Sequence, residues 1–478
     1  MSTHSDFHFK FLDGIRGAAA LSVVFSHSQT LYKQVLPFTT FTMIGFDAVH
    51  CFFVLSAFLL TFRALMDWEK YYENWIEQNF VEKGMLYDRI LDDDELNTVT
   101  NNKKDSSLFK FLDHTAIKFW LKYFFRRIMR VYPTYAIVLL SIVFIDPIGK
   151  AYYNAIKTSN LLQHLTLQSA EFIFWSIPPE MMYYLFIPII VIGYVGITHM
   201  GIFLSNKLYC GPNIGAWTGR ILGNIIIFGV RTLIALYHDS GESLHLSGSA
   251  HYFLSGSICA IWYREIIRLG LFPSSLEEEK ALVKKKQYIS NENSGVCSYI
   301  INNLPSRHWV IRRFFDWTCY FIFFIILCTM PHLSSKVLGL PKNLILELYT
   351  GGSLYAFLIL AGLLSRNSSF VNACSWNLFC FSGKISFSIY LLHPIGLTIV
   401  NNYATSIGVR GAVNETEDDE KVNDVLDAVM LAFVVTVVLS WCFHKVIERP
   451  IMNFTNYVTK SKFFEHKKND KHSNLHTA

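Results

Sequence analysis

Charge is scarce in this chain. Asp, Glu, Lys and Arg make up 17% of its 478 residues, against about 25% in an ordinary soluble domain. It also lacks the short signatures of several large enzyme classes. There is no P-loop, no HExxH helix, no GxSxG elbow and no CxxC pair, which sets aside the chemistries those spacings serve. Nine cysteines are scattered, several inside apolar runs, and read as small core residues rather than as metal ligands or a disulfide framework. No metal is expected, and nothing suggests nucleic-acid readout. No repeat of solenoid period is present. The first apolar segment has a short polar leader and no small-residue cleavage site, so it is expected to stay in the membrane as a helix.

What abounds is apolar surface: 52% of the residues are hydrophobic and 40 are Phe. Repeated runs of about 20 such residues mark membrane-spanning helices. The expected fold is therefore all-α, a polytopic bundle of about ten transmembrane helices. The spans are placed at 11–31, 41–63, 119–146, 180–199, 221–237, 249–269, 314–331, 344–364, 378–401 and 425–446. Lys and Arg concentrate in loops at about 64–118 and 270–313, the latter with Lys284-Lys285-Lys286, and in the tail with Lys460, Lys462, Lys467 and Lys468. The positive-inside rule then puts both termini in the cytosol. A single membrane domain is expected over 1–452, followed by a basic disordered tail over 453–478. Of three Asn-X-Ser/Thr triplets, only that at Asn414 falls on the far side, as the one glycan acceptor this topology allows. The bilayer itself is a partner, and the chain is expected in the plasma membrane or an endomembrane.

The first span carries Asp13, Arg16 and His27 within an apolar run. Ionisable groups at such depth are costly unless paired or facing an aqueous cavity, and so mark functional candidates. At about 100° per residue, the step from Arg16 to His27 closes about three turns and puts both on one face. They lie roughly 16 Å apart along the helix, so they mark two depths of one seam. Asp13, three residues before Arg16, can neutralise its guanidinium. An Arg snorkelling to the interface and a satisfied buried His account for the pattern equally well.

Three other stretches carry polar groups. Arg126, Arg127 and Arg130 open the third span; Arg127 and Arg130 share a face and fork bidentately onto phosphate oxygens, although positive-inside anchoring explains some Arg there. Pro178-Pro179-Glu180 suits a helix start, with the prolines in the first turn and Glu180 near the positive end of the dipole. Ser386, Tyr390 and His393 form a stripe on an apolar helix that serves interhelical bonding as readily as a ligand. Asp47 and His50 open the second span and can share a face, as a local hydrogen-bonded pair or equally a catalytic one.

In this order, Phe11-Leu-Asp-Gly-Ile-Arg-Gly with His27, Phe52-Phe-Val-Leu-Ser-Ala-Phe-Leu, Arg126-Arg-Ile-Met-Arg-Val-Tyr-Pro, Trp175-Ser with Glu180 and Tyr184, Ile385-Ser-Phe-Ser-Ile-Tyr-Leu-Leu-His-Pro and Ile447-Glu-Arg-Pro resemble the acyltransferase-3 family of integral-membrane O-acyltransferases. The resemblance runs from about residue 9 to 452. It departs at His50, where a smaller or acidic residue is expected, and at Ala57 in place of Gly. It implies transfer of an acyl group, acetyl in the first instance, from a cytosolic acyl-CoA to a hydroxyl on a glycan, lipid or metabolite. The family's Arg-X10-His pair falls on Arg16 and His27, and its Arg-X-X-Arg on Arg127 and Arg130.

The combined expectation makes His27 the general base, with Glu180 orienting it or the acceptor. Arg16 and Asp13 line the seam followed by the pantetheine arm. Arg127 and Arg130, with Arg126 beside them, hold the CoA phosphates. Direct transfer and an acyl-histidine intermediate both fit one histidine. A proton-coupled transporter or lipid translocase would also use intramembrane Asp, Arg and His, but no inverted halves are visible.

Overall fold

The computed structural model describes residues 9–32, 44–76, 114–169, 171–208, 212–236, 246–269, 309–329, 352–365, 368–406 and 419–460. No strand occurs among the described residues. The protein is all-helical, and helices stand at each of the ten expected spans. Most of the two charged loops, Asn414 and residues 461–478 lie outside the described residues.

The helices are α1 (Lys10–Tyr32), α2 (Ile44–Ile76), α3 (His114–Phe144), the short α4 (Asp146–Ala151) and α5 (Leu161–Leu165), then α6 (Ile177–Lys207), α7 (Pro212–Leu236), α8 (Leu246–Arg268), α9 (Trp309–Thr329) and α10 (Gly352–Ser365). Short α11 (Ser369–Cys374) and α12 (Asn377–Lys384) precede α13 (Ser386–Ser406), α14 (Asp419–Phe443) and α15 (Arg449–Thr459). Among the described residues, five helices are long and apolar enough to cross a membrane, or six if the pair α12 and α13, bent by 87°, is one span. They are α2, α3, α6, α7 and the run through α14 and α15. α1 is not among them, because Arg16, Ser22, Ser26, His27 and Gln29 dilute its apolar character.

Two compact units are formed, one from Met1–Leu65 and Leu139–Phe443, the other from Met66–Val138 and His444–Ala478. In the first, Ala20 and Val24 of α1 bury completely against Ile389, Leu397 and Val400 of α13 and Val429 and Ala432 of α14. Asp316 of α9 has a local structural task. Its carboxylate accepts from the Ser369 hydroxyl at 2.7 Å and the Phe370 N–H at 3.1 Å, satisfying donors left orphaned at the start of α11. In the second unit, Trp68 packs on Phe119 and Trp120, with ring centroids 5.4 and 5.2 Å away. Within the same unit His444 donates to the Glu448 carboxylate at 2.8 Å across a π-helical turn.

Close backbone approaches in the first unit join α1 to α12. A Cβ on Gly17 would lie 1.8 Å from the Phe379 carbonyl oxygen, and one on Gly383 1.9 Å from that of Asp13. Small residues permit such contact between apolar helices. Gly17→Ala should therefore force α1 and α12 apart at a cost of about 1–3 kcal/mol, read as a lowered Tm of the detergent-purified protein. Gly193→Ala is the control: its Cβ would meet nothing within 4 Å, so its Tm should hold or rise slightly.

Candidate functional site

The candidate site lies in the first unit, around His27. This residue is half-buried in the last turns of α1, whereas His393 of α13 is completely buried. Their ring centroids are 4.9 Å apart with a 40° tilt. Phe172 closes another side of His27, edge to face, at 5.5 Å.

His393 is held by a consequence of its neighbour. Pro394 has no N–H, so the carbonyl four residues back, that of Tyr390, loses its helical partner. His393 Nδ1 takes that carbonyl at 2.8 Å. A carbonyl only accepts, so Nδ1 carries the proton and Nε2 is left as an acceptor in the neutral ring. Nε2 is buried and has no hydrogen-bond partner.

The segment between α3 and α6 is clasped onto α13 from above this pair. Tyr152 donates its hydroxyl to the Leu391 carbonyl, and Tyr390 donates to that of Ile173. Phe172, next to Ile173, has φ of 53°, a left-handed conformation that is strained for a bulky residue. Such strain persists where surrounding contacts over-determine it, and it clusters at functional sites. Here it presents the ring to His27.

Hydrogen bonds also tie α13 to the entry of α6. Ser176 donates to the Tyr390 hydroxyl oxygen at 2.9 Å. One turn later, in the first turn of α6, one Glu180 oxygen accepts from Ser56 of α2 at 2.7 Å and from Tyr184 at 2.9 Å. Pro178 and Pro179 occupy the first turn of α6, as their missing N–H groups favour. His27, His393, Tyr390, Ser176 and Glu180 are thus gathered into one cluster from α1, α13 and the entry to α6.

Arg16 and Asp13 stand apart from it, half-buried in the N-terminal half of α1. Between Arg16 and His27 the same face carries Ala20 and Val23, exposed by 0% and 2%. Packed core, rather than an open groove, separates the two depths along that face. Arg126, Arg127 and Arg130 belong to the second unit. There Arg126 bonds the Thr459 hydroxyl at 3.3 Å, Arg127 lies 5.7 Å from the Tyr123 ring centre, and Arg130 is exposed. Asp47 and His50 are both buried, and His50 stacks on Tyr252 at 3.9 Å with the rings 6° from parallel.

The model of the family described as an acyltransferase domain, acyltransferase-3, matches residues 9–80 and 108–445. The chain belongs to the acyltransferase-3 family. No curated protein and no solved structure matches it. Family membership makes this a membrane acyltransferase in general terms and does not favour the transporter reading. The matched region contains both the α1 motif and the α13 motif, whose histidines the fold brings side by side. Sequence reasoning had the Tyr390–His393 stripe but not its meeting with His27. It also missed two partners of Glu180: Ser56, which only tertiary contact brings there, and Tyr184, which the i,i+4 spacing of one helix signals.

Outside the spans, His164 of α5 is completely buried. Burial holds its imidazole below the ordinary value, with Glu171 and the Ser169 backbone pulling the other way. A histidine lowered on folding binds its proton more tightly when its segment opens, so stability is lost as pH falls below its ordinary value near 6.5. Limited proteolysis between Asp146 and Ser176 should accelerate from about pH 8 to about pH 5.5. His164→Gln should flatten that dependence; an unchanged slope in this variant would assign it to another group.

Proposed function

We propose that this protein is an integral-membrane O-acyltransferase. It moves an acyl group, acetyl in the first instance, from a cytosolic acyl-CoA to a hydroxyl of a glycan, lipid or small metabolite. The observation that carries this reading is the half-buried His27, with His393 and Phe172 against its ring, in a chain of this family.

A histidine has an unperturbed pKa of about 6.5, so its neutral ring suits removal of a hydroxyl proton near neutral pH. His27 takes the acceptor's proton as the acceptor oxygen attacks the thioester carbonyl. The carbon–sulfur bond then breaks, and the proton passes to the departing thiolate to give free CoA. The acyl group passes directly to the acceptor. Glu180, with one oxygen occupied by Ser56 and Tyr184, orients the acceptor or the base. Arg127 and Arg130 hold the CoA phosphates, with Arg126 as a lesser contributor given its bond to Thr459. Arg16 and Asp13 act at the other depth of α1. The bundle has about ten spans and cytosolic termini, which keeps the donor's side and the basic loops together.

Membranes carrying the intact protein or His27→Ala, at equal expression, would be incubated with radiolabelled acetyl-CoA. Label should enter one lipid, glycan or metabolite fraction with the intact protein and fall by about 10²–10⁴-fold in the variant. Equal labelling with both would remove His27 from the chemistry. Arg127→Lys should raise KM for acetyl-CoA with little change in kcat, the pattern of lost ground-state binding. An unchanged KM would place the donor phosphates elsewhere.

A further inference from the structure

Resting on the reading of His27 as base, we infer that His393 is its positioning residue. In the reacting state, His393 Nε2 accepts the N–H of His27, fixing that ring's tautomer and bracing the imidazolium formed when the acceptor's proton arrives.

Three observations converge on this assignment. The first is chemical. Pro394 strips the Tyr390 carbonyl of its helical donor and His393 Nδ1 replaces it at 2.8 Å, so the proton of the neutral ring is committed to Nδ1. A rotating hydroxyl can donate or accept; this ring, once tethered, offers its remaining nitrogen only as an acceptor. The second is the unmet demand. Nε2 is buried without a hydrogen-bond partner in a residue with no exposed surface, and leaving an acceptor so costs stability unless something else exploits it. The third is placement. The ring beside it is His27, with centroids 4.9 Å apart, so a modest swing of one imidazole makes the bond.

The role resembles in its logic what a carboxylate does behind a catalytic histidine, with a difference of charge. A neutral imidazole orients the base and shares the developing positive charge without pinning a permanent negative charge in an apolar bundle, where it would be costly. Tyr390 has a double part. Its carbonyl sets the proton on His393, while its hydroxyl ties α13 to Ile173 and Ser176. The tilt of the acceptor ring and the entry to α6 are thereby coupled.

Three substitutions separate positioning from a structural tether. His393→Gln can put an amide oxygen near the place of Nε2 and keep an acceptor. His393→Asn can put its amide N–H near Nδ1, keeping the tether to Tyr390 but not the acceptor. His393→Phe keeps only the bulk. Each would be purified, checked for monodispersity and Tm, and assayed with radiolabelled acetyl-CoA beside the intact protein and His27→Ala.

Positioning predicts that His393→Gln keeps most of kcat. His393→Asn and His393→Phe should lose about 10–100-fold in kcat with KM for acetyl-CoA unchanged. The reverse order, Asn active and Gln inactive, would make His393 a tether and overturn the inference, as would full activity in His393→Phe. Either result leaves the base reading intact so long as His27→Ala is inactive. No transfer by the intact protein, or full activity in His27→Ala, would instead remove the base reading and this inference with it.

Discussion

Where α1 crosses α12, the two backbones approach more closely than any side chain larger than hydrogen permits. Gly17 faces the carbonyl of Phe379, and Gly383 faces that of Asp13. Apolar helices in lipid gain little from hydrophobic association and hold together through close packing and polar contacts. This crossing therefore sets how α1 lies against the α12–α13 pair. α12 and α13 then turn by 87°, and α13 packs along α1. The rest of the site depends on that alignment, because Ala20 and Val24 bury against α13 and α14 only a turn or two before His27.

The polar groups of the site obey the same economy of satisfied backbone. Pro394 would leave a carbonyl open in the middle of a span, a costly defect where water is absent. His393 fills it with its own ring, which decides that ring's proton and makes the other nitrogen an acceptor. Tyr152 and Tyr390 similarly supply hydroxyl donors to the Leu391 and Ile173 carbonyls and so hold the α3–α6 connection over the histidines. Phe172, with φ of 53°, sits beside that clasp. Chemistry and architecture use the same bonds here, with His393 completely buried on the α13 side and His27 half-buried on α1.

The ionisable and polar groups of the apolar helices divide by task. Asp316 is fully accounted for by the start of α11, and His50 stacks on Tyr252. Glu180 lies one turn after Ser176, which donates to Tyr390, and its carboxylate accepts from Ser56 and Tyr184. Ionisable residues in an apolar helix are functional candidates by default, and the packing around each one sorts cap from candidate.

The amino-acid sequence by itself determined the membrane class, the helical fold and the identity of the motifs. Hydropathy and helical period are local properties, and the six collinear motifs carry the family on their own. It also located Pro178 and Pro179 in the first turn of α6, since a missing N–H is a property of the residue. It placed Arg16 and His27 on one face, but not the packed Ala20 and Val23 between them, because periodicity says which residues share a face and not what fills it. Only the tertiary structure decided that His393 meets His27 and that Ser56 reaches Glu180. These pairs lie far apart in the chain, joined by helices whose crossing is set by side-chain volumes at positions such as Gly17 and Gly383. No local pattern encodes that crossing; it follows from packing every helix at once.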